Sequence, residues 1–198
     1  MRHADEDSDP LTPEQRWSEL ITAVDASDDP DGLRELGHSL LQFWELADWQ
    51  PRLGDQARRD PKVATALESA LLLRGRILAD IVGWDHITTT WCRFYDLQDR
   101  WDQWAEQMLI PLLQDRQALP AHEAWQVVLS LLEAAPNEKV LGNIGAGPIE
   151  DLLSSDPERV AQLIESEANN NPRLRRALAH VWQHRTPEDV FERVKRLA

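Results

Sequence analysis

A chain of 198 residues, 42% of them hydrophobic, is long and apolar enough to bury a sizeable core, which excludes wholesale disorder. Its single cysteine, Cys92, excludes an internal disulfide and a cysteine-based zinc site, and suits a reducing compartment. The net charge of −14 is unevenly placed: residues 171–198 carry +4 and the rest −18, an acidic body that repels nucleic-acid phosphates and anionic lipid and attracts basic partners.

Residues 1–11 read as a disordered acidic tail without the apolar run of a secretory leader, so a cytoplasmic location is expected. Thr12-Pro13-Glu14-Gln15 then has the form of a helix start: a capping hydroxyl, a proline at the first helical position, and a glutamine able to close a capping box. Trp17, Leu20, Ile21 and Val24 follow at helical spacing. Leu33, Leu36, Leu40, Leu41 and Trp44 share a face of a second helix opening near Pro30. Asp60-Pro61 repeats the start signal, and Val63, Leu67, Leu71, Arg74, Leu78 and Ile81 outline a longer helix. The charges Glu68, Arg74, Arg76 and Asp80 argue against a membrane span there.

Ile87, Trp91, Phe94, Trp101, Ala105 and Met108 predict one aromatic-striped helix that Pro111 should end or kink. A helix over Ala121–Ala134 is expected next. Further starts at Asp156-Pro157, Asn171-Pro172 and Thr186-Pro187 are spaced by 15 residues, each opening about three turns; the middle stripe is Leu174/Leu178/Val181/Trp182. Period-two alternation is absent. The fold class predicted is therefore all-α, a helical bundle or short α-solenoid of antiparallel helices, with regions 12–118 and 119–198 as two halves or one continuous domain. Residues 57–71 echo 168–182, with Ala57, Pro61, Ala66 and Leu67 matching Ala168, Pro172, Ala177 and Leu178. Either a helix–turn–helix unit is duplicated or two helix starts are alike.

Motifs for chemistry are thin. His180 and His184 share a helical face, but a metal site needs further ligands, so no metal and no cofactor is expected. His122-Glu123 lacks the second histidine of a zincin, because position 126 is Gln. The glycine-rich run Gly142–Pro148 has no preceding strand and no Lys-Ser/Thr; close helix packing or a break before Pro148 accounts for it better than phosphate binding. Cys92 is read as packing rather than as a nucleophile. Nine tryptophans are many for this length. Trp49, Trp84 and Trp104 fall off the clear core stripes, and an exposed tryptophan anchors interfaces, although burial is the commoner fate of any one. Asp96, Asp99, Asp102 and Glu106 are predicted to lie on one side of the aromatic helix, flanked by Trp104: a solvated face, or a docking patch for a cationic protein.

The stretch Ala146-Gly147-Pro148-Ile149-Glu150-Asp151-Leu152-Leu153 resembles the A-G-P-L-E-D-L-L segment of a bacterial family of uncharacterised helical domains. The likeness continues through Ile164–Ala168, Pro172–Leu178 and Val181-Trp182, covering about residues 121–183. It implies a bacterial source and a helical fold but no activity. It also singles out Glu150 and Asp151, which either pair with Arg173 or Arg176 across adjacent helices or face a groove and bind a partner. The function expected is a non-enzymatic protein-binding module for a basic partner, of the kind that neutralises a toxin or effector. An enzyme with an inter-helix pocket and a DNA-mimicking inhibitor are the alternatives.

Overall fold

In the computed structural model, which describes residues 11–71 and 75–198, the chain is all-α, with no strand among the described residues. The expected tail up to residue 10, and Arg74 of the predicted stripe, lie outside them. The helices are α1 (Pro13–Ala26), α2 (Pro30–Trp44), α3 (Gln50–Arg59), α4 (Pro61–Leu71), α5 (Gly75–Val82), α6 (Trp84–Leu97), α7 (Gln103–Gln114), α8 (Ala121–Ala134), α9 (Glu138–Ile144), α10 (Glu150–Ser155), α11 (Pro157–Ala168), α12 (Pro172–Leu178) and α13 (Glu188–Lys195). No helix among the described residues is long and apolar enough to cross a membrane.

The helix starts are where the proline junctions put them. Thr12 and Gln15 close a reciprocal capping box at α1. The Asp29 carboxylate accepts from the Gly32 amide at 2.8 Å, and the Asn171 side chain from Leu174 at 3.0 Å. Each satisfies a donor that the first turn leaves free. Other expectations need correcting. Of the long helix foreseen from Val63 to Ile81, the stretches in α4 and α5 are helical, and residues 72–74 lie outside the described residues. Pro111 lies inside α7, which continues to Gln114. The middle helix of the C-terminal array stops at Leu178, so Trp182 falls beyond it and is 73% exposed instead of joining the core stripe.

The echo between residues 57–71 and 168–182 belongs to a larger match. The α1–α2 pair and the α8–α9 pair align in sequence at a constant separation of 108 residues, which matches Trp17 with Trp125, Val24 with Leu132, the cap Asp29 with the cap Asn137, Leu33 with Leu141, and Gly37 with Gly145. Every apolar pair in that set is buried in both copies. The α3–α4 and α11–α12 pairs align at 111 residues, matching Leu53 with Ile164, Val63 with Leu174 and Leu67 with Leu178, again all buried. The packing agrees: α2 lies on α4 as α9 lies on α12, α1 touches α2 and α4 as α8 touches α9 and α12, and α5 packs on α3 as α13 packs on α11.

The closest helix contact is made in the same way in both halves. A β-carbon built on Gly37 would fall 2.0 Å from the Ala66 carbonyl oxygen, and one on Gly145 would fall 2.1 Å from that of Ala177. Ala66 and Ala177 are themselves a matched pair. Two similar helix starts would not reproduce a glycine-on-carbonyl contact made from a different helix, so the unit is duplicated. Between the copies, α6 and α7 pack together and reach both halves, α6 against α5, α8 and α9, and α7 against α4, α5 and α10. One buried cluster runs from Trp17 to Val194.

A π-helical turn sets the second copy apart from the first. Helices α9 and α10 are joined without interruption by a π-helical turn, Gly145–Ile149. Pro148 has no amide to donate and its ring would clash with the preceding turn, so the widened turn takes the extra residue instead of breaking the helix. The close packing expected of the glycine-rich run is present at Gly145; a break before Pro148 is not.

Candidate functional site

The acidic face predicted over residues 96–106 is divided by the backbone. Helix α6 ends at Leu97, Gln98 takes the left-handed conformation with φ 58°, and a 3-10 turn over Arg100–Asp102 leads into α7. The four acids therefore lie on three elements, each with its own partners. Asp96 accepts from the Asn137 amide at 2.7 Å, and the Asp99 side chain caps the 3-10 turn through the Trp101 amide at 3.0 Å. Asp102 is buried and accepts from both Arg93 Nε and a terminal guanidinium nitrogen at 2.5 Å, tying the turn to α6. Glu106 accepts from the Tyr95 hydroxyl at 2.7 Å, and together with burial this holds the phenol well above its ordinary range. Trp104 is buried at 1% exposure and stacks near His86. These residues are not brought together as one exposed patch.

Glu150 and Asp151 behave otherwise. Neither pairs with Arg173 or Arg176. Arg173 donates to the carbonyls of Leu132 and Ala135 at the end of α8, and Arg176 pairs with Glu138 at 2.7 Å. Glu150 accepts from the backbone amide of Trp182 at 2.6 Å, fixing the segment after α12. Asp151 accepts from Gln114 Nε2 at 2.8 Å, and burial lifts its carboxyl above the usual range in spite of that bond. Asp151 lines a hollow of about 410 Å³ together with Gln114, Ser154, Ser155, His184 and Arg185. Of the residues read as partner-binding from the sequence, Asp151 is the one set in a polar cavity. The sequence marks His184 only with His180, as a pair on one helical face, but α12 ends at Leu178, before both; Arg185 carries no motif.

A second concavity follows α6 and α8. Two hollows of about 340 and 290 Å³ share Ser130. Trp84, Leu119 and Val127 supply apolar surface to the first, Asp85 and Glu133 the charge of the second. Leu119 and Val127 are buried in the floor, Trp84 is half-buried, and Asp85 and Glu133 are exposed. Of the tryptophans read as candidate anchors, Trp84 alone lines a groove; Trp49 stacks with Trp17 and Phe43 inside the first copy.

The basic C-terminal segment is largely occupied within the chain. Lys195 donates to the carbonyls of Leu178, Ala179 and Val181, Arg175 to that of Ala168, and Arg193 pairs with Glu158 at 2.9 Å and Glu165 at 3.0 Å. Cys92 is buried, its thiol donating toward the Leu131 carbonyl at 3.5 Å, and burial pushes its pKa up to about 12. Among the described residues no three His, Cys, Asp or Glu side chains are grouped to hold a metal ion.

Two copies of an all-helical unit joined by a bridging helix pair, with concavities between the helices, define a duplicated α-helical domain. Residues 96–198 match DUF6869, a family of unknown function, and the chain belongs to that family. The matched span takes in α7 and the whole second copy, from the end of α6 to the C-terminus, a wider stretch than the 121–183 likeness read from the sequence. The first copy lies outside it. No curated protein and no solved structure matches the chain.

Proposed function

We propose that the protein is a binding module for a basic partner protein and that the partner docks a cationic amphipathic helix along the α6–α8 groove. The observation that carries this is the lining of the groove, in which Trp84, Leu119 and Val127 offer apolar surface beside two exposed carboxylates, Asp85 and Glu133. A helix laid in a groove buries residues at positions i, i+4 and i+7 against such a floor, and its basic residues meet the acidic rim. Neither Asp85 nor Glu133 takes part in an ion pair among the described residues. Several C-terminal cations are engaged within the chain, and the net charge of −14 speeds encounter with a positive surface. Half-buried Trp84 is the residue type that dominates interface energies. A bacterial source and a cytoplasmic location accord with this reading.

A photo-crosslinking residue placed at Gln126, in the groove, tests it in the cells of origin. The expected adduct is a Lys/Arg-rich helical segment, lost when Asp85→Lys and Glu133→Lys are combined. An adduct with an acidic segment, or one that survives the double reversal, would refute the proposal. For the captured partner, the association rate is expected to fall steeply between low and physiological salt, and equal rates would count equally against it.

A further inference from the structure

The hollow around Asp151 is independent of the groove and combines several unspent polar groups. Asp151, Ser154 and Ser155 come from α10, Gln114 from the end of α7, and His184 and Arg185 from the segment between α12 and α13. The Ser154 hydroxyl is buried and has no hydrogen-bond partner, an uncommon condition that a ligand relieves. Asp151 has one oxygen on Gln114, leaving its second free, and the Gln114 carbonyl oxygen is an unused acceptor. His184, which lines the hollow with Arg185, holds a left-handed conformation with φ 40°, costly for a residue with a β-carbon. Trp182, 73% exposed, stands two residues before His184, its backbone fixed by Glu150.

The first copy shows that the fold does not require a carboxylate at the Asp151 position. Because the π turn adds one residue to the helix, positions after it correspond at a separation of 109: Leu40 with Ile149, Phe43 with Leu152, and Gln42 with Asp151. Burial agrees, since Leu40, Ile149, Phe43 and Leu152 are all core residues. Gln42 also lines a hollow, of about 230 Å³, but there it is neutral, accepts from Arg16 at 2.8 Å, and is surrounded by Leu11, Pro13, Phe43 and Leu46. At the matched position the first copy thus carries a neutral side chain bonded to Arg16 of the same copy. The second carries a carboxylate there, in a hollow that also holds two hydroxyls, an imidazole and a guanidinium.

We infer that the second-copy hollow is a binding site for a small zwitterion of the amino-acid class, its ammonium group held by Asp151 and the Gln114 carbonyl oxygen and its carboxylate by Arg185 and His184. Opposite charges brought to one cavity by α10 and by the segment after α12 suit a ligand that carries both, and the Ser154 hydroxyl, with the Ser155 oxygen as an acceptor, supplies hydrogen bonds to its polar substituents. The whole chain is titrated calorimetrically with each of the common L-amino acids, and with the matching α-hydroxy acids and decarboxylated amines of any that bind. Binding of at least one amino acid is expected, weakened about tenfold or more by loss of either charged group from the ligand, and likewise by Asp151→Asn and Arg185→Ala, tenfold being 1.4 kcal/mol. Arg185 is exposed, so its variant reports on binding without disturbing the core. Absence of heat for every amino acid at millimolar concentration overturns the inference, as does binding that both variants leave intact. Neither result bears on the groove, whose variants lie on α6 and α8.

Discussion

Gly145 offers the sharpest test of the duplicated architecture. A β-carbon there would stand 2.1 Å from the Ala177 carbonyl oxygen, about 1.3 Å short of the 3.4 Å at which ordinary contact begins. Both sides of the clash are backbone, so no rotamer change relieves it and α9 must move off α12. Overpacking of this kind costs about 1–3 kcal/mol, and a backbone obstacle belongs at the upper end. The gain in helix propensity from Gly to Ala, about 1 kcal/mol, offsets part of that. Gly145→Ala should therefore lose about 2 kcal/mol net, a fall in Tm of roughly 4–8 °C for a chain of this size. Gly37→Ala, with its β-carbon 2.0 Å from the Ala66 oxygen, should lose about as much, while Gly147→Ala meets nothing within 4 Å and should be neutral or slightly stabilising. Scanning calorimetry of the three variants suffices. If Gly145→Ala matches or exceeds the parent while Gly37→Ala falls, the two contacts are not equivalent and the argument for a duplicated unit fails.

Other parts of the fold give predictions of their own. Arg93→Ala strands the buried Asp102 carboxylate without its partner and should cost about 3 kcal/mol in chemical denaturation, more than the reverse change Asp102→Ala, which leaves a half-exposed guanidinium; equal losses would contradict this. Burial raises the Glu68 carboxyl above its ordinary 4.5, so the folded state binds its proton more tightly than the unfolded chain does. Stability from this group is then full below about pH 4.5 and is lost as pH rises through the folded value, so Glu68→Gln should raise Tm near pH 7 and lose that advantage near pH 4. A constant advantage across that range would show that desolvation is not the cause. Cys92, with its thiol pKa pushed up to about 12, should resist an aromatic disulfide reagent in the native protein and react at once when unfolded.

The helix starts were legible because proline and a capping side chain act locally: Thr12-Pro13, Asp29-Pro30 and Asn171-Pro172 each need only the next turn to work. The acidic face was misread for the complementary reason. Spacing alone carried the helix through residue 98, yet the Arg93–Asp102 pair and the Asp99 cap, both formed only once the chain reverses, favour a turn there. Trp182 was placed in the core by its interval from Leu178, but the helix that would have carried it ends first, and Glu150 from another helix holds its amide.

The duplication was visible only as a fragment, and the reason bears on the candidate site. What the copies share is volume and burial rather than identity: Leu53 answers to Ile164, Val63 to Leu174, Val24 to Leu132, and a comparison by letters scores such pairs poorly. Identity survives where no other residue fits, at the glycines pressed against a carbonyl and at the alanines that offer it. Gln42 and Asp151 differ in chemistry at a position that lines a hollow in both copies, one that packing leaves free. A duplicated fold thus supplies its own control, in that whatever the first copy does without is not needed for folding in the second. By that criterion packing does not require the Asp151 carboxylate, which Gln42 replaces in the first copy, whereas the Asp102–Arg93 pair sits in the bridge, has no counterpart, and serves structure by tying α6 to the turn.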